Sequence, residues 1–304
     1  MTQNKNGMAI PMVSIGLPVY NGAMYIREAL DSVMAQTYQD FEVIISDNAS
    51  SDETQAICID YCGRDSRIRY VRQSQNLGGH WNFNFVVQEA EGALFTWLAH
   101  DDILEPNFLA ESVKYMTRWP ETVLVAGDFK IIGEDGTELG IEKLEKIRGH
   151  IEWNKRCVEF FKYPISNVFF CIYGMMRADI CKSIFQTILE PKIMTGSELP
   201  ILARFAVLGE IASIPDVLRK YRRHAASIYM SEVAEISKRP MLHRSAIQIG
   251  NLYRLRFDQI AVLLSSAMSP SLKFIIVFKV LVWYMTSFFH RMLRIPLKLL
   301  RLLK

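Results

Sequence analysis

The stretch Leu94-Phe95-Thr96-Trp97-Leu98-Ala99-His100-Asp101-Asp102 decides the fold. Its first five residues are apolar or β-prone and too few for a helix, so they read as a buried strand. The run then breaks off into an imidazole and two carboxylates. Open α/β sheets bind ligands in the crevice beyond the carboxyl ends of their strands, which is where Asp101 and Asp102 belong. Adjacent carboxylates facing a cleft need a cation, and a hard divalent ion, Mg2+ or Mn2+, carrying substrate phosphates meets that need. The competing reading is that Asp102 caps the helix starting near Pro106.

Upstream, the same pattern occurs twice more. Met12–Leu17 reads as a strand stopped by Pro18, followed by the turn Tyr20-Asn21-Gly22. An amphipathic segment then runs to Gln36, with Ile26, Leu30, Val33 and Met34 on one face. Phe41–Ser46 is a second strand, ending in Asp47-Asn48-Ala49-Ser50-Ser51-Asp52. Ser51 or Asp52 caps the next helix, which reaches to about Tyr61. Ile68–Arg72 is a third strand, and Asn76-Leu77-Gly78-Gly79 turns into a helix through Ala90. Strand–helix alternation at this spacing implies right-handed βαβ units and a parallel sheet. The polar clusters after three of the strands then fall on one rim.

Downstream, a helix runs from Glu105-Pro106 to about Trp119 and a long strand covers Thr122–Ile132. From Thr137 to Pro164 the sheet rhythm is lost. Ala178–Thr187 reads as a helix, and Thr195-Gly196-Ser197-Glu198-Leu199-Pro200 leads into another that ends at Leu208. The basic stretch Arg219-Lys220-Tyr221-Arg222-Arg223-His224 closes this part of the chain.

Composition narrows the function classes. Half of the 304 residues are hydrophobic, so a sizeable core is available. The net charge of +3 conceals an asymmetry. Residues 271–304 carry Lys273, Lys279, Arg291, Arg294, Lys298, Arg301 and Lys304 without one acid, which leaves the body mildly acidic. No nucleic-acid-binding face follows from that balance. Five cysteines, an odd number without paired ligand spacing, argue for a reducing compartment. Met1–Pro11 has no apolar signal core, so a cytoplasmic location is expected. A dinucleotide-binding Rossmann domain needs Gly-x-Gly-x-x-Gly after its first strand, where this chain has Pro18-Val19-Tyr20-Asn21-Gly22. A phosphate loop ending in Gly-Lys-Ser/Thr is missing as well, which also argues against a nucleotidyltransferase.

Pro18-Val19-Tyr20-Asn21-Gly22, Asp47 to Asp52, Asn76-x-Gly78 and His100-Asp101-Asp102 occur in the order and spacing of family 2 glycosyltransferases. The resemblance is close over 12–132 and weaker to about 228. It implies a GT-A fold: a Rossmann-like, mostly parallel central sheet flanked by helices. It also implies an inverting enzyme using a nucleotide-sugar donor, UDP first and dTDP next, with Mn2+ or Mg2+. By that resemblance Tyr20 lies against the nucleobase and Asp47 accepts a hydrogen bond from it. Pro18, Asn21, Asn76, Gly78, Asn84 and His100 belong to the donor site. Asp101 contacts the ribose or donor sugar, and Asp102 ligates the metal. His224 meets the metal or the diphosphate, while Arg222 or Arg223 supplies positive charge.

Glu198 matches the second acid of the family's Glu-Asp motif, the catalytic base, and Ser197 replaces the first. Two further departures are Ala99, where many members have Asp, and Phe83, where many have Arg. Diphosphate neutralisation is thereby left to His100 or to the later basic cluster. An eroded, catalytically inactive carbohydrate- or lipid-binding protein is the alternative reading.

Four regions follow: a tail at 1–11, a donor half at 12–132, an acceptor and catalytic-base half at 133–228, and C-terminal helices at 229–304. Within the last, Val280–Phe289 is too short to span a bilayer, which takes roughly 20 residues. Pro296 should kink the basic, leucine-rich segment beyond it. The pattern suits an interfacial amphipathic helix on the inner face of the plasma membrane, where each basic residue near anionic lipid adds about 1 kcal/mol. A dimer interface is the competing use of the same segment, with a homo-oligomer as its consequence. The expected acceptor is a glycan or lipid-linked glycan of bacterial surface polysaccharide synthesis.

Overall fold

A computed structural model describes residues 11–147, 149, 168–187, 198–224, 260–278 and 282. The expectations placed on Ser197, on 225–259 and on most of the tail beyond 278 lie outside the described residues, as does most of 148–167.

Among the described residues nine strands form one mixed sheet. They are β1 Val13–Val19, β2 Phe41–Asp47, β3 Ile68–Arg72, β4 Leu94–Trp97, β5 Ile103–Leu104, β6 Thr122–Ile132, β7 Glu138–Glu142, β8 Met175–Arg177 and β9 Glu210–Arg222. The order is β3-β2-β1-β4-β8-β6-β9-β5, with β7 paired to β6. Helices α1 Ile26–Met34, α2 Thr54–Arg64, α3 Gly79–Glu89, α4 Phe108–Arg118, α5 Ala178–Thr187 and α6 Glu198–Leu208 connect and flank the strands.

The expected parallel order holds from β3 to β4. Beyond β4 it does not, because the three-residue β8 pairs antiparallel with both β4 and β6. Two reversals cancel, so β6 and its parallel partner β9 run in the direction of β1 and β4. The carboxyl end of β9 therefore reaches the same rim as those of β1, β2 and β4. That placement brings Arg222, Arg223 and His224 to the site.

Two local expectations are revised, for Pro18 and for the segment after Thr137. Pro18 does not stop β1: it pairs with Ser46 of β2, past Gly16↔Trp97, the last pair that β1 makes with β4. Strand β7, an exposed partner of β6, was hidden in a segment without alternation. Val168–Tyr173 forms a 3-10 turn before β8.

The core lies on both faces of the sheet. Ile15, Leu17, Leu30, Val33, Ile45 and Leu98 belong to one cluster, and Val86, Phe95, Trp97, Phe129, Phe205 and Ile211 to the other. A register shift lets Pro215 and Asp216 bulge out of β9 beside Gly127. A Cβ at Gly127 would meet the Asp216 carbonyl oxygen at 2.6 Å, so the bulge requires glycine there. Bulges re-aim the residues after them, and here those residues are Leu218 to His224. Among the described residues no helix is long and apolar enough to cross a membrane.

Candidate active site

On the β1–β2 side the rim consists of two loops laced together by short polar residues. Asn21 takes a positive φ of 49° and Ala49 one of 63°, conformations that non-glycine residues adopt only when their surroundings impose them. The imposing bonds are visible. The Asn21 N–H donates to Ser50 Oγ at 2.8 Å and its Oδ1 accepts from the Ser51 N–H at 2.8 Å. The Gly22 N–H donates to Thr54 Oγ1, and the Ala23 N–H to Asp52 Oδ2. Asp52 also accepts from the Thr54 N–H at the start of α2, but it stands one residue before the cap position expected of it, which Glu53 occupies. Gly22 is required because a Cβ there would lie 2.7 Å from the His100 ring.

Asp47 is fully buried. Its Oδ1 accepts from the Ser50 N–H at 2.8 Å and its Oδ2 from the Tyr70 hydroxyl at 2.6 Å, with Arg72 Nε at 3.9 Å. Both oxygens thus already hold protein donors. Asn76 and Gly78 grip Asn48, through Asn76 Oδ1 at 2.8 Å and the Gly78 carbonyl at 3.2 Å. Asn84 accepts from Gln88 on the same helix. Tyr20, 46% exposed just past β1, presents an open aromatic face.

The β4–β9 side is held by charge instead. Asp101 accepts from His224 Nε2 at 2.8 Å. Burial alone would raise the Asp101 carboxyl, but the His224 bond and the nearby His100 hold it below its ordinary value. The same bond raises His224, whereas burial lowers His100. Asp102 is 1% exposed. Its Oδ1 accepts the Arg222 N–H at 3.1 Å, and its Oδ2 lies 3.8 Å from Arg219 Nη1. Burial and the Asp101 charge push Asp102 up to about 8, against the pull of Arg219.

Arg219, itself buried, donates to the Trp97 carbonyl at 2.6 Å and lies 5.4 Å from the rings of Phe108 and Tyr173. Arg222, 1% exposed, donates to the carbonyls of Asp101 and Glu134 and to Glu28 Oε2 at 2.7 Å. Its guanidinium covers Tyr25, whose ring in turn lies 5.1 Å from that of His224.

This geometry distinguishes the members of two pairs. Asp102 is buried beside Arg219 and the β9 backbone and its Oδ2 has no hydrogen-bond partner, whereas Asp101 is the more exposed carboxylate. Arg222 is locked into carbonyls and Glu28, so of the two arginines proposed for the diphosphate only Arg223 is exposed.

Glu198 opens α6 and is half-buried. The phenol of Tyr173 is pushed well above its ordinary value, by burial first and then by Asp102, Glu198, Tyr221 and Asp101. Tyr221 is pushed up to about 12 by burial and by Asp102, Asp101 and Glu198. Glu198 and both rim carboxylates thus act electrostatically on the same two phenols.

Among the described residues no three His, Cys, Asp or Glu side chains cluster as a closed metal site. Asp102, through its unpartnered Oδ2, and His224 nevertheless fit a hard divalent cation that takes one carboxylate, one imidazole and phosphate oxygens. Asn82, Glu28, Tyr25, Tyr173 and Arg219 were not foreseen as parts of the site. Asn82, 3% exposed, bonds Ser46 Oγ at 2.6 Å, the Ser46 carbonyl at 2.9 Å and the Val19 carbonyl at 3.3 Å, tying together the ends of β1 and β2. An asparagine inside an otherwise apolar stretch of α3 was the only sequence signal for it.

Comparison with known proteins gives concordant results. Residues 14–185 match the model of glycosyl transferase family 2. An uncharacterised glycosyltransferase of Rickettsia felis is 35% identical over 140 residues, 45% of this chain and 23% of that protein. One of Rickettsia prowazekii is 29% identical over 225 residues, 73% of this chain and 67% of that protein. The chain therefore spans under a quarter of the first relative's length. S. aureus TarS 1-349 in complex with UDP-GlcNAc superposes with a TM-score of 0.64 at 17% identity, covering 90% of this chain and 72% of that one. A mannosyltransferase of Pyrobaculum calidifontis in complex with GDP-Man and Mn2+ superposes with a TM-score of 0.54 at 16% identity, covering 89% and 74%. At these identities the solved structures establish the fold.

Proposed function

Because this chain belongs to glycosyltransferase family 2, we propose that it moves a sugar from a nucleoside diphosphate to an acceptor hydroxyl, inverting the anomeric carbon. The observation that carries this reading is the Asp101–His224 pair at the rim, and it is supported by Tyr173 and Tyr221, whose phenols are raised in part by both Asp101 and Glu198. Solved relatives of the same fold hold UDP-GlcNAc, or GDP-Man with Mn2+, which supports the donor class. A UDP-sugar is the first candidate donor and a dTDP-sugar the next. The acceptor is a glycan or lipid-linked glycan of a bacterial surface polysaccharide.

In this reading Asp102, through its unpartnered Oδ2, and His224 would hold a Mn2+ or Mg2+ ion, with Asp101 beside them. When bound, that ion offsets the negative charge that grows on the leaving diphosphate. Arg223 adds a second cation there, replacing the arginine whose place Phe83 occupies. Tyr20 offers its face to the base. Asp47 keeps the second loop in shape and receives the base edge only as Tyr70 yields its bond. Glu198 takes the proton of the acceptor hydroxyl as that oxygen bonds to the anomeric carbon. The bond from that carbon to the phosphate oxygen breaks on the opposite face.

Glu198→Gln removes the base while keeping the shape. Release of UDP from the matching donor should fall about 10²–10⁴-fold, with UDP–Mn2+ affinity unchanged. Wild-type turnover in that variant would assign the base elsewhere. Thermal-shift screening of nucleotide sugars with Mn2+ identifies the donor. The competing reading, an inert binding scaffold, is favoured by Ala99, Phe83 and Ser197. Failure to hydrolyse or transfer any donor that binds would establish it.

A further inference from the structure

Residues 260–265 and 270–278 form two short helices that are anchored to the body of the protein on one side only. Leu263, Met268 and Ile276 are buried in the same cluster as Ile201, Leu202 and Phe205 of α6, and Leu272 and Val277 pack against it. The opposite side of the second helix is also apolar. Phe274 is 70% exposed, Phe278 57% and Ile275 44%, and Leu264 of the first helix is 57% exposed. The rings of Phe274 and Phe278 stack with centroids 6.2 Å apart, one helical turn from each other. Soluble surfaces rarely gather large apolar side chains in this way without a binding role.

The charge around the patch selects its occupant. From Ser271 onward the chain has seven basic residues and no acid. Lys273 is occupied at the surface, donating from Nζ to the Leu264 carbonyl at 2.8 Å. Six further cations follow within the next 31 residues. Aromatic side chains beside a cationic stretch free of acids match the boundary between anionic headgroups and acyl chains. A protein partner would give no reason for the complete absence of acids. We propose that Phe274, Ile275 and Phe278 seat in an anionic lipid surface. Because Ile276 fastens the same helix to the layer containing α6, docking holds Glu198 at a fixed disposition to that surface. An acceptor carried on a lipid would meet the base from there. Only this last consequence rests on the glycosyltransferase reading.

The test uses the full chain and vesicles of phosphatidylcholine, with or without about 30% phosphatidylglycerol. The wild type should sediment with the anionic vesicles and not with the neutral ones. Phe274→Glu/Phe278→Glu should lower the bound fraction about tenfold while the thermal shift given by UDP–Mn2+ stays unchanged. That second readout separates failure of the docking proposal from failure of the donor reading. Should the double variant fail to fold, Phe274→Trp is read instead, as fluorescence quenching by brominated lipid beyond that of the wild type. Three results overturn the proposal: no sedimentation with anionic vesicles, unchanged binding by the double variant or no added quenching of the tryptophan, or a wild-type dimer that the double variant splits. The last would make a second copy the occupant.

Discussion

The two sides of the crevice are made rigid by opposite means. Between β1 and β2 the loops are laced mostly by neutral side chains and backbone amides, with Asn21, Ser50, Thr54, Asn76 and Asn82 each satisfying a neighbour, and the carboxylates of Asp47 and Asp52 there are met chiefly by neutral donors. Between β4 and β9 the lacing is ionic and buried, running through Asp102, Arg219 and Arg222. Neutral bonds cost little to bury when satisfied, so losing one is a local event. Buried charges are expensive to desolvate, and removing one partner strands the other. The donor side should therefore degrade gradually under mutation, and the β9 side abruptly.

The sharpest way to break this contrast is Asp102→Ala, which leaves Arg219 buried and unpaired. Above about pH 8, where the raised Asp102 carboxyl is ionised, it should cost about 3–5 kcal/mol in urea unfolding. A loss below about 1 kcal/mol would mean that the pair behaves as a surface bridge. Next comes Asn82→Ala between β1 and β2, which removes one donor from each of the Ser46 and Val19 carbonyls and the acceptor of the Ser46 hydroxyl. Its expected cost is about 1–3 kcal/mol, and a larger loss than that of Asp102→Ala would reverse the comparison. Glu28→Gln, at the half-exposed end of the Arg222 pair, should change stability by no more than about 1 kcal/mol.

The smallest effect depends on pH. His224 is raised above its ordinary 6.5 by Asp101. Its contribution is therefore fully present below 6.5 and fades as the pH rises through the elevated folded value. The melting-temperature gap between the wild type and His224→Gln should narrow over that rise. A gap that widens would require a neutral imidazole at Asp101.

The same contrast accounts for what the sequence disclosed. The neutral side was legible because short polar residues at strand ends carry their turn chemistry in their identity. Strands β3 and β6 and helices α5 and α6 appear with the expected bounds. The ionic side was legible only as a list of charges. Asp101 and Asp102 are neighbours in sequence, yet one meets His224 and the other Arg219. Nothing local distinguishes them, because the difference is set by β9 arriving from more than a hundred residues away. Arg219 and Arg222 look like surface cations until the bulge at Pro215 turns them inward. The antiparallel β8 was hidden by its three-residue length, too short for any periodicity.

Arg222 reaches the turn between β6 and β7 through the oxygens of Gly133 and Glu134, and the rim through the oxygen of Asp101. Every residue type supplies that atom, so the two turn positions can vary provided the chain keeps its path. Among the hydrogen-bond acceptors of its guanidinium Glu28 alone is recognised by its side chain, and the Tyr25 ring lies against the same group. A chimera joining the first helix of one homologue to the closing strand of another must therefore match this single carboxylate, while the turn sequence can be exchanged freely.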